Sequence, residues 1–216
     1  MVLLGSSVAE NLVRPENALG MLMSAVPAPV CLIVLAAGLS TRMGARDKLR
    51  LSLGEKTVLE RSVLSALRAG ASEVLVVTGP HDYTAVLEPY HVRIVPNPDY
   101  EEGMASSIRV GVESVDPAAS AYGILLGDMP YIRSETIRAL LQHVDARTIV
   151  VPHYEKKAGH PVLFAGCYRR ELLALHGDVG ARSVIRRHAE HVVPVEMGDP
   201  GILRDIDTAE AYRRAK

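Results

Sequence analysis

Short apolar runs alternate with segments of helical periodicity from residue 30 to the end of the chain. The apolar runs are rich in Val, Ile and Leu and show no polar alternation, which is typical of strands covered on both faces. They lie at residues 30–36, 74–78, 92–95, 123–126, 148–151, 162–164 and 192–195. This alternation predicts an α/β fold, a single doubly wound domain with a mostly parallel sheet.

Helical patterns occupy the intervals between these strands. Thr57 and Glu60 have the spacing of a capping box, apolar residues follow at four-residue intervals, and Gly70 ends the helix. Further helices are predicted at residues 103–114, 134–143, 180–188 and 208–215. Residues 1–29 lack a sheet pattern and contain several Pro and Gly breaks, so we interpret them as an N-terminal extension before one domain at 30–216.

The charge balance limits the partners that the chain can have. Its 216 residues carry 24 basic and 25 acidic side chains, a net charge of −1, which lacks the positive field of a nucleic-acid binder. No apolar run approaches the roughly 18 residues that cross a bilayer. Cys31 and Cys167 are far apart in the sequence, and Cys31 has the context of a small buried residue. We therefore expect a cytoplasmic protein without nucleic-acid or membrane partners.

The loop after the first strand carries the most informative chemistry. Small residues around Gly38 let backbone N–H groups approach a ligand, and Arg42, Arg46 and Lys48 follow closely. Clustered cations beside an accessible backbone are suited to a nucleoside triphosphate. The loop has neither the P-loop spacing nor the GxGxxG pattern, so neither of those motifs is predicted.

Two further loops follow predicted strands and reach the same edge of the sheet. Asp128 comes directly after Gly127, where its carboxylate suits either Mg²⁺ or a turn that bonds its own backbone. Asn97 follows another strand and opens a loop into the helix that carries Ser106 and Ser107. These two hydroxyls either cap that helix or contact a nucleotide.

The C-terminal third contains candidate acceptor and metal residues. His160, taken alone, is more often a structural hydrogen-bonding residue than a ligand. Gly180 and Arg182 stand near a predicted helix N-terminus, which favours anions. Asp207, with Glu210 three residues later, has the pattern of a cap on the last helix, and we favour this interpretation over a metal ligand.

Several of these motifs together resemble one family. The segment Leu35-Ala-Ala-Gly-Leu-Ser-Thr-Arg-Met-Gly44, followed by Lys48, resembles the signature loop of the nucleotidyltransferases related to molybdenum cofactor guanylyl- and cytidylyltransferases. The resemblance extends to Gly-Asp-Met-Pro at 127–130, to Asn-Pro and Gly-Met-Ala-Ser-Ser within 97–107, and to Gly-His-Pro and Gly-Asp-x-Gly-Ala-Arg within 159–182. It covers about residues 30–212 and implies a Rossmann-like nucleotidyltransferase fold for the domain.

The resemblance implies a role for each matched residue. Nucleotide binding falls to Leu35, Ala36, Ala37, Gly38, Ser40, Arg42, Gly44, Lys48, Thr78, Asn97, Ser106 and Ser107. The catalytic residues would be Lys48, Arg42 and Asp128, and the metal ligand Asp128, with Asp205 and Asp207 as weaker candidates. Acceptor binding falls to His160, Asp178, Gly180, Ala181 and Arg182.

The implied reaction is transfer of CMP from CTP to the phosphate of molybdopterin, with Mg²⁺ as cofactor and pyrophosphate as the second product. Ala37 stands where the guanylyl enzymes typically carry a second glycine, and its methyl group favours a smaller pyrimidine base. Transient contact with a molybdoenzyme or its chaperone is a further expectation. Two alternatives are the same transfer to a sugar phosphate, choline phosphate or phospholactate, and a non-catalytic nucleotide sensor or chaperone.

Overall fold

A mixed sheet with helices on both faces forms the centre of the molecule. The computed structural model describes residues 29–39, 47–178 and 180–215. The strands are β1 (Val30–Ala36), β2 (Ser52–Leu53), β3 (Lys56–Thr57), β4 (Glu73–Thr78), β5 (Arg93–Pro96), β6 (Ala121–Leu126), β7 (Ile149–Tyr154), β8 (Lys157–Ala158), β9 (Val162–Ala165) and β10 (Val192–Glu196). The helices are α1 (Val58–Leu67), α2 (Thr84–Leu87), α3 (Met104–Ser114), α4 (Ser134–Leu141), α5 (Arg169–Leu173), α6 (Arg182–Arg187) and α7 (Ala209–Ala215).

Most strands of the large sheet run parallel. Their order is β5-β4-β1-β6-β9-β7-β10, with β8 added beside β7. β1 runs parallel to both β4 and β6, and β10 runs parallel to β7. Within the described part of this sheet, β8 and β9 alone run in the opposite direction. The prediction of an α/β fold with a mostly parallel sheet is confirmed.

The chain reverses its course across the sheet at β1. It first adds β4 and β5 on one side of β1, and it then returns to place β6 on the other side. At such a switch the loops that leave the two neighbouring strands diverge, and a crevice opens at their carboxyl ends. The fold therefore favours a ligand site where β1 and β6 end.

Two apolar layers cover the faces of the sheet. On one face, Leu32 and Val34 of β1 pack with apolar side chains of α1 and α4. On the other face, Cys31 and Ile33 pack with those of α3 and α5. Cys31 is 2% exposed, which confirms that it is a small buried residue. Burial and the neighbouring Glu73 raise the pKa of the Cys31 thiol to about 12, so it stays protonated at neutral pH.

The predicted strands all appear, and the predicted helices differ mainly at their ends. α3 begins at Met104 and α6 at Arg182, because Gly103 and Gly180 have positive φ angles of 99° and 54°. Such angles lie outside the right-handed helical region. The helix predicted at 134–143 ends at Leu141. The hairpin of β2 and β3 and the helices α2 and α5 are not among the predictions, because segments so short show no period.

Parts of the predicted organisation lie outside the described residues. Residues 1–28 make up almost all of the predicted N-terminal extension, and residues 40–46 belong to the loop that the sequence predicts after the first strand. Within the described ranges, none of the helices combines the length and the apolar character that a membrane span needs.

The capping box predicted at the start of α1 is confirmed. The Glu60 N–H donates to the Thr57 hydroxyl at 3.2 Å, and the Thr57 N–H donates to the Glu60 carboxylate at 2.7 Å. Thr57→Ala removes the first of these bonds, so we expect the free energy of unfolding to fall by about 1 kcal/mol in urea denaturation. Ser52→Ala, at the exposed position paired with Thr57 across the hairpin, should change it by less than about 0.5 kcal/mol. Equal losses in both variants would contradict the role of the cap.

Candidate active site

A cavity of about 610 Å³ opens at the carboxyl ends of β1 and β6. The switch in strand order favours a ligand site at this place. Of the residues predicted for the site, those that line the cavity are Leu35, Ala36, Ala37, Gly38, Lys48, Ser107, Asp128, Asp178, Asp205 and Asp207. The structure thus brings residues from several separate loops together at one edge of the sheet.

Asp128 is held at this edge by backbone contacts on both sides. The Gly127 N–H donates to the Leu35 carbonyl at 2.9 Å, which ties the end of β6 to the end of β1. A Cβ at Gly127 would lie 3.0 Å from the same carbonyl, so a side chain there would crowd this contact. The Asp128 carbonyl in turn accepts from the Ile206 N–H at 2.9 Å. This bond brings the segment 205–207 to the side of Asp128.

Three carboxylates and one ammonium group meet in the cavity. Oxygen atoms of Asp128, Asp205 and Asp207 lie within 4.8 Å of one another. Lys48 Nζ donates to Asp128 Oδ2 at 2.5 Å and also to Asp207 Oδ1, and the Lys48 side chain is 13% exposed. Burial alone would lower the pKa of Lys48, but the charges and hydrogen bonds of Asp128 and Asp207 raise it above its ordinary value. Lys48 is therefore charged at neutral pH and neutralises part of the acidic cluster.

A short turn places Lys48 at this cluster. Asp47 Oδ1 accepts from the Leu49 N–H at 3.0 Å, and Asp47 Oδ2 accepts from the Tyr83 hydroxyl at 2.8 Å. Leu49 and Tyr83 are 3% and 1% exposed, so the turn is anchored in the core. Sequence reasoning does not single out Asp47 or Tyr83, because the bond between them joins positions far apart in the chain.

The acidic cluster fits a hard divalent cation. Asp128 Oδ1 is buried and has no hydrogen-bond partner among the residues that the structure describes. Such an oxygen is costly to bury, and a bound cation would satisfy it. Partial burial and the negative charges of Asp207 and Asp128 raise the pKa of Asp205, an effect that a cation would oppose. Carboxylate oxygens are also the protein ligands that Mg²⁺ prefers.

The favoured interpretation of Asp207 as a helix cap is wrong. α7 begins at Ala209, one residue later than a cap at Asp207 requires. The cap is Thr208, whose hydroxyl accepts from the Ala211 N–H at 3.1 Å. Asp207 bonds instead to Lys48 inside the cavity, where it stands with the other carboxylates as a candidate metal ligand.

Asn97 organises the part of the cavity wall that α3 forms. Its amide group donates to the hydroxyls of Ser106 at 2.8 Å and Ser107 at 3.0 Å, and its Oδ1 accepts from the Asp99 N–H at 3.0 Å. The alternative that Ser106 or Ser107 caps α3 is wrong, because the helix begins at Met104 and both residues lie within it. Ser107 lines the cavity, and Asn97 orients its hydroxyl from behind.

The segment predicted to bind the acceptor packs against the N-terminus of α3. The Met104 N–H donates to Asp178 Oδ1 at 3.2 Å. A Cβ at Gly103 would lie 2.8 Å from the Asp178 Cα, so the two segments are in close contact. Asp178 lines the cavity, whereas residues 180–182 are not among the described lining residues. One Asp178 oxygen is thus committed to the backbone of α3.

His160 is partly buried and is not among the described residues that line the cavity. Its backbone N–H donates to the Ile202 carbonyl at 3.0 Å, and the charges of Asp128 and Arg182 both act on its ring. Burial lowers the pKa of His160, so the ring is neutral at pH 7. Its Nδ1 is buried and has no hydrogen-bond partner in the described part of the chain.

The predicted site residues and the residues that line the cavity are not the same set. Of the predicted residues, Ser40, Arg42 and Gly44 lie outside the described residues. Thr78 is described and buried, with its carbonyl accepting from the Asn97 N–H at 2.7 Å, but it does not line the cavity. The lining residues that sequence reasoning missed are Leu39, Leu49, Tyr100, Glu101, Glu102, Gly103, Met104 and Leu126. Leu39, Gly103 and Met104 stand in the motifs that carry the family resemblance, and Leu49 follows Lys48. The others have only their position beside a predicted strand end or before α3 as a signal.

The chain belongs to the family defined by the MobA-like NTP transferase domain. The family model matches residues 32–192, which include Lys48 and Asp128. The family resemblance inferred from the sequence motifs is therefore confirmed.

The sequence similarity to two named relatives extends over nearly the whole length of each relative. Nicotine blue oxidoreductase from Paenarthrobacter nicotinovorans is 31% identical over 197 residues, which cover 84% of this chain and 94% of the relative. Molybdenum cofactor cytidylyltransferase from Escherichia coli strain K12 is 29% identical over 192 residues, which cover 85% of this chain and 94% of the relative. The relatives are thus named for two different reactions.

Solved structures have the same fold. Rv0371c from Mycobacterium tuberculosis H37Rv is 30% identical with a TM-score of 0.74, over 87% of this chain and 97% of that chain. A nucleotidyl transferase from Methanothermobacter thermautotroptrophicus is 25% identical with a TM-score of 0.76, over 86% of this chain and 95% of that chain. A complex of the Mycobacterium tuberculosis protein with manganese is 28% identical with a TM-score of 0.71, over 87% of this chain and 97% of that chain.

Removal of the Lys48 charge should strengthen metal binding by the nucleotide-free protein. The ammonium group occupies carboxylate oxygens that a divalent cation would use, so Lys48→Met removes a competitor and leaves the cluster more negative. We expect the dissociation constant for Mn²⁺, measured by calorimetry, to fall about tenfold. The control is Lys56→Met, because the Lys56 ammonium faces Glu60 at 3.8 Å on α1. Unchanged or weaker Mn²⁺ binding in Lys48→Met would contradict the competition.

Proposed function

We propose that the chain transfers CMP from CTP to the phosphate of molybdopterin, in an Mg²⁺-dependent reaction that releases pyrophosphate. The observation that carries this proposal is the meeting of Lys48 with Asp128, Asp205 and Asp207 in one cavity beside the loop after β1. Nucleotidyl transfer depends on positioning of the substrates and on compensation of their charge more than on covalent catalysis by the enzyme. A lysine and a set of metal-binding carboxylates supply both.

Charged groups of the chain would stabilise the reacting phosphates. An oxygen of the acceptor phosphate bonds to the α-phosphorus as the bond to pyrophosphate breaks, so negative charge grows on the leaving group. Lys48 and Arg42 would offset that charge, and Asp128, with Asp205 and Asp207, would hold the cation. When bound, Mg²⁺ neutralises and orients the triphosphate. The acceptor phosphate is already ionised near neutral pH, so the chain needs no general base.

The preference for CTP is proposed from the position of Ala37. Ala37 lines the cavity and is 6% exposed. A Cβ at Gly79 would lie 2.6 Å from the Ala37 carbonyl oxygen, so the chain after β4 is in close contact with the loop after β1. This contact limits how far the loop can move away from a bound ligand. The Ala37 methyl group would then restrict the space for the base. The Escherichia coli relative is named as a cytidylyltransferase, which supports the same choice.

Acceptor binding is proposed for His160, Asp178, Gly180, Ala181 and Arg182. The proposal is supported by Asp178, which lines the cavity, and by the His160 ring, on which the charges of both Asp128 and Arg182 act. A guanidinium group is suited to the phosphate of the acceptor. Molybdopterin as acceptor is supported by the name of the Escherichia coli relative, and a transient contact with a molybdoenzyme or its chaperone would pass the product on.

An oxidoreductase activity is the second candidate. It is favoured by one observation, the 31% identity to a relative that bears the name nicotine blue oxidoreductase. An oxidation or reduction does not in itself need three clustered carboxylates that face a lysine, whereas metal-assisted transfer of a phosphate group uses them. We therefore rank the transferase activity first.

Pyrophosphate release tests the proposal against its alternatives. The full chain is incubated with Mg²⁺ and CTP, GTP or ATP, and with molybdopterin, a sugar phosphate, choline phosphate, phospholactate or no acceptor. The proposal expects release only when CTP, Mg²⁺ and molybdopterin are present together. Nucleotide binding without release would indicate a sensor. Reduction of nicotine blue by an added reductant, without pyrophosphate release, would favour the oxidoreductase.

Loss of either charged group at the centre of the site should lower turnover without unfolding the chain. Asp128→Asn and Lys48→Ala should each reduce the rate of pyrophosphate release about 10²-fold, if each group contributes about 3 kcal/mol to the transition state. Asp116 lies in the turn before β6, at the opposite end of this strand from Asp128, so Asp116→Asn should retain the wild-type rate. A normal rate in Asp128→Asn or Lys48→Ala would overturn the role assigned to that residue.

Base preference should change when the methyl group of Ala37 is removed. Ala37→Gly enlarges the space beside the base, so the ratio of kcat/KM for GTP to that for CTP should rise about tenfold. Ala165→Gly, at the far end of β9, tests whether a general loss of stability changes the ratio. An unchanged ratio in Ala37→Gly would show that this residue does not select the base.

A further inference from the structure

A buried carboxylate outside the cavity joins two parts of the chain. Asp199 is 3% exposed and stands at the start of the segment 199–207. Its Oδ1 accepts from the Gly201 N–H at 2.9 Å, within that segment. Its Oδ2 accepts from the Thr136 hydroxyl at 2.6 Å and from the Arg133 N–H at 3.0 Å, both at the start of α4. Asp199 thus holds the segment 199–207 against the N-terminus of α4.

The two parts that Asp199 joins are the parts that carry the acidic cluster. The loop between β6 and α4 carries Asp128, and the segment 199–207 carries Asp205 and Asp207. Two further backbone contacts keep this segment in place. The His160 N–H donates to the Ile202 carbonyl, and the Ile206 N–H donates to the Asp128 carbonyl.

The contacts around Asp199 leave little freedom for another arrangement. A Cβ at Gly201 would lie 2.2 Å from the Tyr131 carbonyl oxygen, so the segment is pressed directly onto the loop after β6. Burial alone would raise the pKa of Asp199, but the hydrogen bonds from Thr136, Arg133 and Gly201 hold it below its ordinary value, so the carboxylate stays charged. A charged acceptor with three donors, two of them buried and the third partly buried, is a strong and directional link.

We propose that Asp199 is a positioning residue for the divalent cation, because it sets the separation between Asp128 on one side and Asp205 and Asp207 on the other. The inference rests on the proposed function, in which these three carboxylates hold the metal. Mg²⁺ and Mn²⁺ need closely defined ligand positions, so a small displacement of the segment 199–207 weakens binding. Groups that orient metal ligands typically contribute about 10- to 100-fold to metal affinity.

The test is Mn²⁺ binding by the full, nucleotide-free chain, measured by electron paramagnetic resonance. Asp199→Asn replaces an acceptor oxygen by an amide that faces donors, and Thr136→Val removes one donor. Both should weaken Mn²⁺ binding about tenfold or more. Thr136→Ser keeps the hydroxyl and should restore wild-type binding within about twofold. Asp116 also accepts from a backbone N–H in a turn, that of Ala118 at 2.8 Å, and Asp116→Asn should bind Mn²⁺ as the wild type does.

Thermal unfolding of each variant separates positioning from a purely structural role. Titrations are made well below the lowest unfolding temperature, so every variant is folded when it is measured. If Asp199→Asn fails to fold, Thr136→Val and Thr136→Ser carry the test alone. Wild-type Mn²⁺ affinity in the folded Asp199→Asn or Thr136→Val protein, with a lower unfolding temperature, would overturn the inference. An absence of Mn²⁺ binding in the wild type would overturn the metal-dependent function itself, and the inference with it.

Discussion

Three carboxylates that lie within 4.8 Å of one another are unfavourable unless positive charge stands among them. Two like unit charges about 5 Å apart in a partly buried site repel by roughly 3 kcal/mol. Lys48 supplies one positive charge through its bonds to Asp128 and Asp207, and a buried Asp128 oxygen remains for a second cation. Lys48 can balance these charges only if it lies beside Asp128. β1 and β6 must therefore be neighbours, and the turn that carries Lys48 must be anchored beside them.

The fold was largely predictable from the sequence, because its strands are buried on both faces. Continuous runs of Val, Ile and Leu mark such strands without reference to any distant contact. The observed strands match the predicted runs within a few residues, and the capping box at Thr57 marks the start of α1. Short elements such as α2 and the hairpin of β2 and β3 carry no comparable pattern. The order of strands, with β9 reversed between β6 and β7, depends on long-range packing that periodicity does not encode.

The candidate site was predictable where a residue directly follows a strand, and less so elsewhere. Asp128 and the residues from Ala36 to Gly38 come at strand ends, so their place at the edge of the sheet follows from the fold class. The local spacing around Asp207 predicts a helix cap, because it carries no information about the bond to Lys48. Asp199 bonds locally to the Gly201 N–H, but its partners at the start of α4 lie more than sixty positions away, so the local sequence does not reveal the link between the two segments. Contacts between distant segments are the part of the site that one sequence does not reveal.

We propose that Lys48 and the three carboxylates form one site for a divalent cation and a triphosphate. A crystal structure with Mn²⁺ and a non-hydrolysable CTP analogue would show whether they do, because the anomalous signal of manganese locates the ion. We expect the manganese peak between Asp128 and Asp207, with the triphosphate against Lys48 and the loop after β1. Manganese and nucleotide bound away from these side chains would show that Lys48 and the carboxylates do not form this site.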